Sequence, residues 1–353
     1  MLKQQKIKVF LGGYINVINA QNLNCRSLAK HLDKDKFEVY TMSLYSGTLS
    51  TIDGVKIFRC FRPHKLSAYL GYLWGIWSAD VVYLPKGELS TWTRFLIKLL
   101  SKKSFITVEG IFDKEATKNA LSLVGKNFVA HYHSFHRTFS ITGFMRQYNE
   151  EQLGLKTEDR ILYLGTEPAA FQGQERMLQG LNQVLMVGND LFRKGVFDYF
   201  ELASRFPEIT FHLAGSGNNK VNISSELCKR GLKNFIYHGL ISQQELAKLF
   251  TQVQLHVFPS RSEGFPKVTL ESACAGVPSL VYSDYGAEEW ITHDKNGFVV
   301  DTLDEMIEVI SSLQSNQEKL GRVSKSAIEL GDSFDWKEKV KDWEIVIKQL
   351  IVA

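Results

Sequence analysis

The sequence predicts two doubly wound α/β domains in tandem, each a parallel sheet with helices on both faces. Three observations carry this expectation. Short β-branched and apolar runs alternate with helical patterns through the first half. The same alternation starts again past the middle. Between the two, "LGTEPAAFQGQERMLQGLNQ" gathers Gly, Pro and Gln. Strands alternating with helices imply βαβ units and hence parallel pairing.

In the first half "IKVFLGG" reads as a strand ending in glycines, and "NAQNLNCRSLAKHLDK" spaces Leu23, Ser27, Leu28 and Leu32 along one helical face. "FEVYTMSL", "GVKIFRC", "ADVVYLP" and "SFITVEG" read as strands, with helices around "LSAYLGYLWGIW" and "TWTRFLIKLL". In the second half "QVLMVGN", "ITFHLAG", "NFIYHG", "VQLHVFPS" and "PSLVYSD" are strands. "GVFDYFELASRF", "SSELCKRGL", "SQQELAKLFTQ" and "KVTLESACAG" are the helices between them. Of these, "SQQE" opens with a Ser cap and a Glu three residues later, and "CAG" closes with a C-terminal glycine. The last stretch, "SFDWKEKVKDWEIVIKQLIVA", places Trp336, Val340, Trp343 and Ile347 on one face, as a helix that packs across the domain boundary does. The expected organisation is a first domain over 1–170, a second over 171–334 and a terminal helix over 335–353. Two such domains leave a cleft at their strand C-termini, where ligands bind in this class.

Composition narrows the function classes. The chain has 353 residues, 44% hydrophobic and 23% charged, which is ordinary for a globular protein. Cys25, Cys60, Cys228 and Cys274 have no CxxC spacing, so they read as reduced thiols of a cytoplasmic protein and not as a disulfide framework or zinc site. No apolar run reaches the length of a membrane span, and the N-terminal apolar run is too short for a signal peptide. The net charge of +4 is uneven. Residues 1–170 hold 23 Lys and Arg against 14 Asp and Glu, and the remainder holds 19 against 24. A basic first half points to an anionic partner. No nucleic-acid-binding module motif accompanies it, so a membrane surface is the reading kept.

The chemistry concentrates in "VFPSRSEGFPKVTLESACAGVP". Glu263 falls on a loop after a strand, and Glu271 lies about one turn into the helix that starts near Lys267. The unpaired N–H groups of a helix start form an anion site, so a diphosphate would meet the amides of Lys267, Val268 and Thr269. The two glutamates then flank it as readers of hydroxyl groups, a pattern suited to a nucleotide sugar. An isolated pair at this spacing is ordinarily a loop residue and a solvated helix residue. Here "VGNDLFRKGVFDYF" adds Arg193 and Lys194 at the start of another helix, a diphosphate clamp of one fork and one point charge. Further glycine-rich strand ends follow at Gly215 to Gly217 and at Gly239, without the GxGxxG and downstream acid of a dinucleotide site.

Together, "VGNDLFRKG", "FHLAGSG", "NFIYHGLISQQELAKLF", "VFPSRSEGFPKVTLESACAGVPSLV" and "EEWITHDKNGFVV" resemble, in order and spacing, the nucleotide-sugar-binding half of family 4 retaining glycosyltransferases of the GT-B fold. "VFLGG", "ADVVYLP", "FITVEGIF" and the closing "FDWKEKVKDWE" match the rest of that family more loosely. The resemblance implies that Glu263 binds donor-hexose hydroxyls, Glu271 binds the ribose, and Arg193 and Lys194 neutralise the leaving diphosphate. It further implies that backbone at Gly264, Phe265, Pro266, Lys267, Val268 and Thr269 lines sugar and phosphates. Backbone at His238, Gly239 and Leu240 meets the base, with Gly188 and Gly215 at neighbouring strand ends. Gly12 and Gly13 let the first loop approach the phosphates. Two positions depart from the family: Asn189 stands where many members have an arginine, and Glu109 where many have a histidine that contacts the sugar. His131, His133 and His136, in "HYHSFHR", are nearby histidines at what reads as a strand end.

The implied reaction is retaining transfer of a hexose from a UDP- or GDP-sugar to a glycan or lipid-linked acceptor in polysaccharide or glycolipid synthesis. It proceeds by front-side attack, with no metal and no cofactor beyond the donor itself. The acceptor is expected on the first domain. There "TWTRFLIKLLSKK" forms a basic, aromatic, amphipathic helix suited to the cytoplasmic face of a membrane. A sugar-nucleotide epimerase of the same architecture and a non-catalytic sugar-binding relative are the competing readings.

Overall fold

The computed structural model describes residues 5–17, 19–46, 51–85, 91–112, 128–171, 180–218 and 220–352. Two compact units result, one of Met1–Leu164 with Trp336–Ala353 and one of Gly165–Asp335.

The first unit contains a six-stranded sheet of β1 (Ile7–Tyr14), β2 (Phe37–Ser43), β3 (Val55–Arg59), β4 (Val81–Leu84), β5 (Lys103–Val108) and β6 (Arg137–Ser140), ordered β3-β2-β1-β4-β5-β6. All pairings are parallel. Its described helices are α1 (Ala20–His31), α2 (His64–Ser78), α3 (Thr91–Leu99), α4 (Phe128–Tyr132) and α5 (Gly143–Leu153). The central strand β4 is a continuous apolar run with all four residues buried, because both of its faces are covered. The terminal helix, α12 (Trp336–Val352), belongs to this unit although the whole second unit precedes it in sequence. Trp336, Val340, Trp343 and Ile347 are all buried. The indole of Trp343 donates to the Tyr163 carbonyl at 3.2 Å and meets Tyr83 of β4 edge-on at 5.3 Å.

The second unit repeats the plan with β7 (Gln183–Asn189), β8 (Thr210–Ser216), β9 (Phe235–Gly239), β10 (Leu255–Phe258), β11 (Ser279–Tyr282) and β12 (Phe298–Val300), ordered β12-β11-β10-β7-β8-β9. These too pair in parallel. Its helices are α6 (Val196–Arg205), α7 (Ile223–Arg230), α8 (Gln243–Phe250), α9 (Lys267–Cys274), α10 (Leu303–Ser315) and α11 (Gln317–Ser333). In both sheets the order reverses beside the first strand, at β1/β4 and at β7/β10. That reversal opens a crevice at the strand C-termini, the position where doubly wound sheets hold ligands.

The junction stretch lies partly outside the described residues. Three expectations change or become specific. Gly12 and Gly13 lie inside β1, not in a turn after it, at a register shift between Phe10 and Tyr14. The strand end read at the three histidines is the N-terminal end of β6: His131 is in α4, and His136 directly precedes the strand. Elements α5, β12, α10 and α11 join those read from the sequence.

Candidate functional site

The second unit's reversal point brings the loop after β7 beside the loop after β10. Lys194, on the β7–α6 connection, places its ammonium 2.6 and 2.7 Å from the two carboxylate oxygens of Glu263 on the β10–α9 connection. Ser260 Oγ donates to the same carboxylate, and Arg193 Nη1 lies 3.4 Å from Glu263 Oε1 while donating to the Ser262 carbonyl. The Glu263 side chain is only 7% exposed and that of Lys194 13%, whereas Arg193 is 45% exposed. Burial pulls the Lys194 ammonium below its ordinary value, and Glu263 opposes that pull. The ammonium also lies 4.9 Å over the Phe258 ring, whose π-face favours the charge. The cluster therefore holds one buried pair in fixed geometry with a second, outer cation beside it.

Two glycines make this packing possible. Gly195 adopts φ +79°, and a Cβ there would fall 1.9 Å from the Pro259 carbonyl oxygen; Gly215 adopts φ +135°, and its Cβ would fall 1.7 Å from the Gly188 oxygen. Gly188 itself lies under the Lys194 side chain, 3.2 Å from where its Cβ would stand to Lys194 Cγ. Gly195→Ala is expected to cost about 3 kcal/mol, because it combines left-handed backbone strain with overpacking. Urea unfolding that leaves the midpoint unchanged contradicts this role.

Helix α9 starts after Pro266 with its first turn already partly capped. The Thr269 amide bonds the Pro266 carbonyl at 3.0 Å, and its hydroxyl donates to the same oxygen at 2.9 Å and accepts from the Trp290 indole at 3.2 Å. Thr269 is thus a buried strut of the helix start, and its amide is not offered outward as expected. Gly264 leads into this turn, and Phe265 anchors it by edge contact with Trp290 at 5.1 Å. Lys267 and Val268 follow as its first two helical residues. Glu271, one turn on, is half-buried and joins none of the hydrogen bonds of the Glu263 cluster. Burial raises its carboxyl above the usual range, and Lys267 pulls it back.

Beyond β8 and β9 a second part of the site takes shape. A cavity of about 420 Å³ is lined by Ser216, Asn218, Asn222, Ser224 and Tyr237, among others, and Tyr237 donates to the Gly215 carbonyl at 3.0 Å. Its hydroxyl and amide groups were not singled out from the sequence. "GSGNN" carries the signal, read from the sequence only as a glycine-rich strand end. His238 turns away from this cavity to His212: Gln183 Oε1 accepts from His212 Nε2 at 2.9 Å, so His212 Nδ1 accepts from His238 Nε2 at 3.0 Å. Gly239 takes φ +66°, and Leu240 is 73% exposed beside it.

In the first unit, Glu109 follows β5 at the strand C-termini. It accepts from Thr107 Oγ1 at 3.0 Å and Tyr83 Oη at 3.2 Å. A Cβ at Gly12 would meet Leu84 at 2.5 Å and one at Gly13 would meet Cys25 Sγ at 2.8 Å, so these glycines admit neighbouring side chains of the unit itself. The three histidines lie at the N-terminal end of β6, the opposite sheet edge from Glu109, and do not stand in for a histidine at its position.

Residues 170–330 match the family model described as glycosyl transferases group 1. The match lies within the second unit. An uncharacterized glycosyltransferase of Haemophilus influenzae is 22% identical over 286 residues, covering 72% of this chain and 78% of the relative. The alpha-galactosylglucosyldiacylglycerol synthase of Streptococcus pneumoniae is 26% identical over 169 residues, 46% of this chain and 45% of that one. Anabaena HepE, solved in complex with UDP-glucose, superposes with a TM-score of 0.73 at 14% identity, over 98% of each chain, which shows the GT-B fold. Within the group 1 match fall Arg193, Lys194, Glu263 and Glu271. Asn189 also falls there and ends β7 without a guanidinium, and Arg193 is the arginine that stands beside Glu263.

Proposed function

We propose that the chain is a retaining, metal-independent hexosyltransferase that takes its sugar from a nucleoside diphosphate donor, a UDP-sugar first among them, and passes it to a glycan or lipid-linked acceptor. One observation carries the reading: a buried lysine–glutamate pair with an exposed arginine beside it, at the switch point of a group 1 unit. Arg193 and Lys194 supply the positive charge that a departing diphosphate needs, the electrostatic term that dominates such transfers. Glu263 holds Lys194 in place and offers its remaining lone pairs to sugar hydroxyls. In this reading Glu271, one turn into α9, accepts from the ribose. The polar cavity at Ser216 and Tyr237 is the place for the nucleoside. Glu109, held by Tyr83 and Thr107, replaces the family's histidine as a hydroxyl acceptor. HepE's complex with UDP-glucose favours uridine over guanosine as the base.

The acceptor belongs to the first unit, which we place at an anionic membrane surface. Among the described residues no helix is long and apolar enough to cross a membrane, and the contact we propose is a peripheral one. A thermal-shift screen of UDP- and GDP-sugars tests the donor: UDP-sugars are expected to raise the melting temperature with EDTA present. A shift that needs a divalent cation, or none with any nucleotide sugar, contradicts the reading.

A further inference from the structure

The first unit carries an apolar face and a cationic cavity that sugar transfer leaves unused. Helix α2 carries apolar side chains on both its inner and its outer face. Ser67, Gly71 and Gly75 lie against the sheet, where a Cβ at Gly75 would come within 2.2 Å of the Phe10 ring and one at Gly71 within 2.8 Å of Met42 Sδ. The helix lies flush because these residues are small; Tyr72 and Ile76 are buried with them, while five other large apolar side chains are turned outward. Leu66, Tyr69, Leu70, Leu73 and Trp77 fall on one helical face, and all are exposed, Trp77 to 65%. Phe95 and Leu99 of α3 extend the face, 59% and 62% exposed. Tyr69 meets Trp92 edge-on at 5.0 Å, and Lys102 Nζ donates to the Trp77 carbonyl at 3.0 Å, which joins the two helices. A chain that leaves so large an apolar face bare has something to cover it.

Directly beside this face is a cavity of about 610 Å³ whose lining includes Arg94, Lys98, Lys103, His136, Ser101 and Ser134. Phe95 belongs both to its wall and to the exposed face. Among the described residues no carboxylate pairs with Arg94, Lys98 or Lys103, and Arg94 Nε is buried without a partner. The Ser104 amide donates to His136 Nδ1 at 3.2 Å, which leaves Nε2 to carry the ring proton as a further donor. These residues sit at the N-terminal ends of β5 and β6, the opposite sheet edge from Gly12, Gly13 and Glu109.

We propose that this cavity binds the phosphate headgroup of an anionic membrane lipid, with the outer faces of α2 and α3 seated in the bilayer interface. The inference rests on the membrane reading above and names the group that makes the contact. Three unneutralised cations and an imidazole donor suit a phosphomonoester. The adjoining Trp77, Tyr69 and Trp92 are the side chains that favour the headgroup layer, and this continuity with an apolar face selects a lipid over a soluble phosphate.

Flotation of the full chain with phosphatidylcholine vesicles, with and without phosphatidic acid, tests it. The wild type is expected to float only with phosphatidic acid. The Arg94→Gln, Lys98→Gln, Lys103→Gln variant should bind about fivefold more weakly per charge removed, on the order of a hundredfold in all, while its melting temperature still rises with the donor. Trp77→Ser should weaken flotation as well. A wild type that ignores acidic vesicles overturns both the membrane reading and the pocket. A triple variant that floats like the wild type overturns the pocket alone. Full competition by glycerol phosphate overturns the lipid as its occupant. A dimer dispersed by Trp77→Ser, without vesicle binding, shows that a second copy covers the face instead.

Discussion

Lys194→Met is expected to lower both activity and stability sharply, and adding Glu263→Gln should restore the stability without the activity. Removing the lysine leaves a carboxylate that is 7% exposed with Ser260 and a more distant Arg193 as its remaining partners. Stranding one member of a buried pair costs about 3–5 kcal/mol. For a unit of this size that corresponds to a melting temperature roughly 10 °C lower. Neutralising the glutamate as well removes the stranded charge, so the double variant should melt above the Lys194→Met single. Transfer should fall by about a thousandfold in the single and stay there in the double, because the diphosphate loses its innermost cation in both. Thermal scans and steady-state rates on the four proteins check this. Melting losses that simply add would show that the two side chains do not act as a pair.

Acidification from about pH 7 to pH 5 is expected to destabilise the second unit by about 4 kcal/mol through two buried histidines. Burial, helped by the charge of Lys194, pushes His256 down to about 3, and burial with the nearby His238 pushes His212 down to about 4. Both are therefore neutral when folded at pH 5, while the unfolded chain takes up protons below about 6.5. A depressed folded value means that stability is complete above the unfolded value and is lost as pH falls toward the folded one. At pH 5 each histidine accounts for about 2 kcal/mol. The geometry explains the cost. His256 Nδ1 is bonded to Ser279 Oγ at 2.9 Å within reach of the Lys194 charge, and protonating His212 would set its Nδ1 proton against that of His238. In calorimetry, His256→Asn should lose about 2 kcal/mol less than the wild type across the same interval. Equal acid losses in both proteins would remove His256 from the account.

The fold was legible because its signals are local. Apolar runs such as "QVLMVGN" and "ADVVYLP" mark buried parallel strands, and the Trp336, Val340, Trp343 and Ile347 stripe marks a helix with one covered face. Helix α10 was equally marked, since Thr302 and Glu305 form a reciprocal capping box, but that signal was passed over. Strand β12, three residues long, is too short for any periodicity. The site was legible as residue types and not as partnerships. Sequence placed Glu263 with the sugar and Lys194 with the phosphates, and it gave no sign that the two side chains meet across a separation of 69 positions. Nor does spacing reveal that Thr269 turns inward to Trp290, or that Gly12 and Gly13 make room for Leu84 and Cys25. The exposed apolar face of α2 is hidden for the same reason: the close fit of Gly71 and Gly75 on its inner face becomes visible only against Met42 and Phe10.

Transfer with retention at the Glu263–Lys194 cluster is tested most directly by the anomeric configuration of the first product. With the donor chosen by thermal shift and with EDTA present, early-time proton NMR should show the released or transferred sugar with the donor's own anomeric configuration, and no product from Lys194→Met. Appearance of the inverted anomer, or a Lys194→Met variant that turns over like the wild type, would contradict the account.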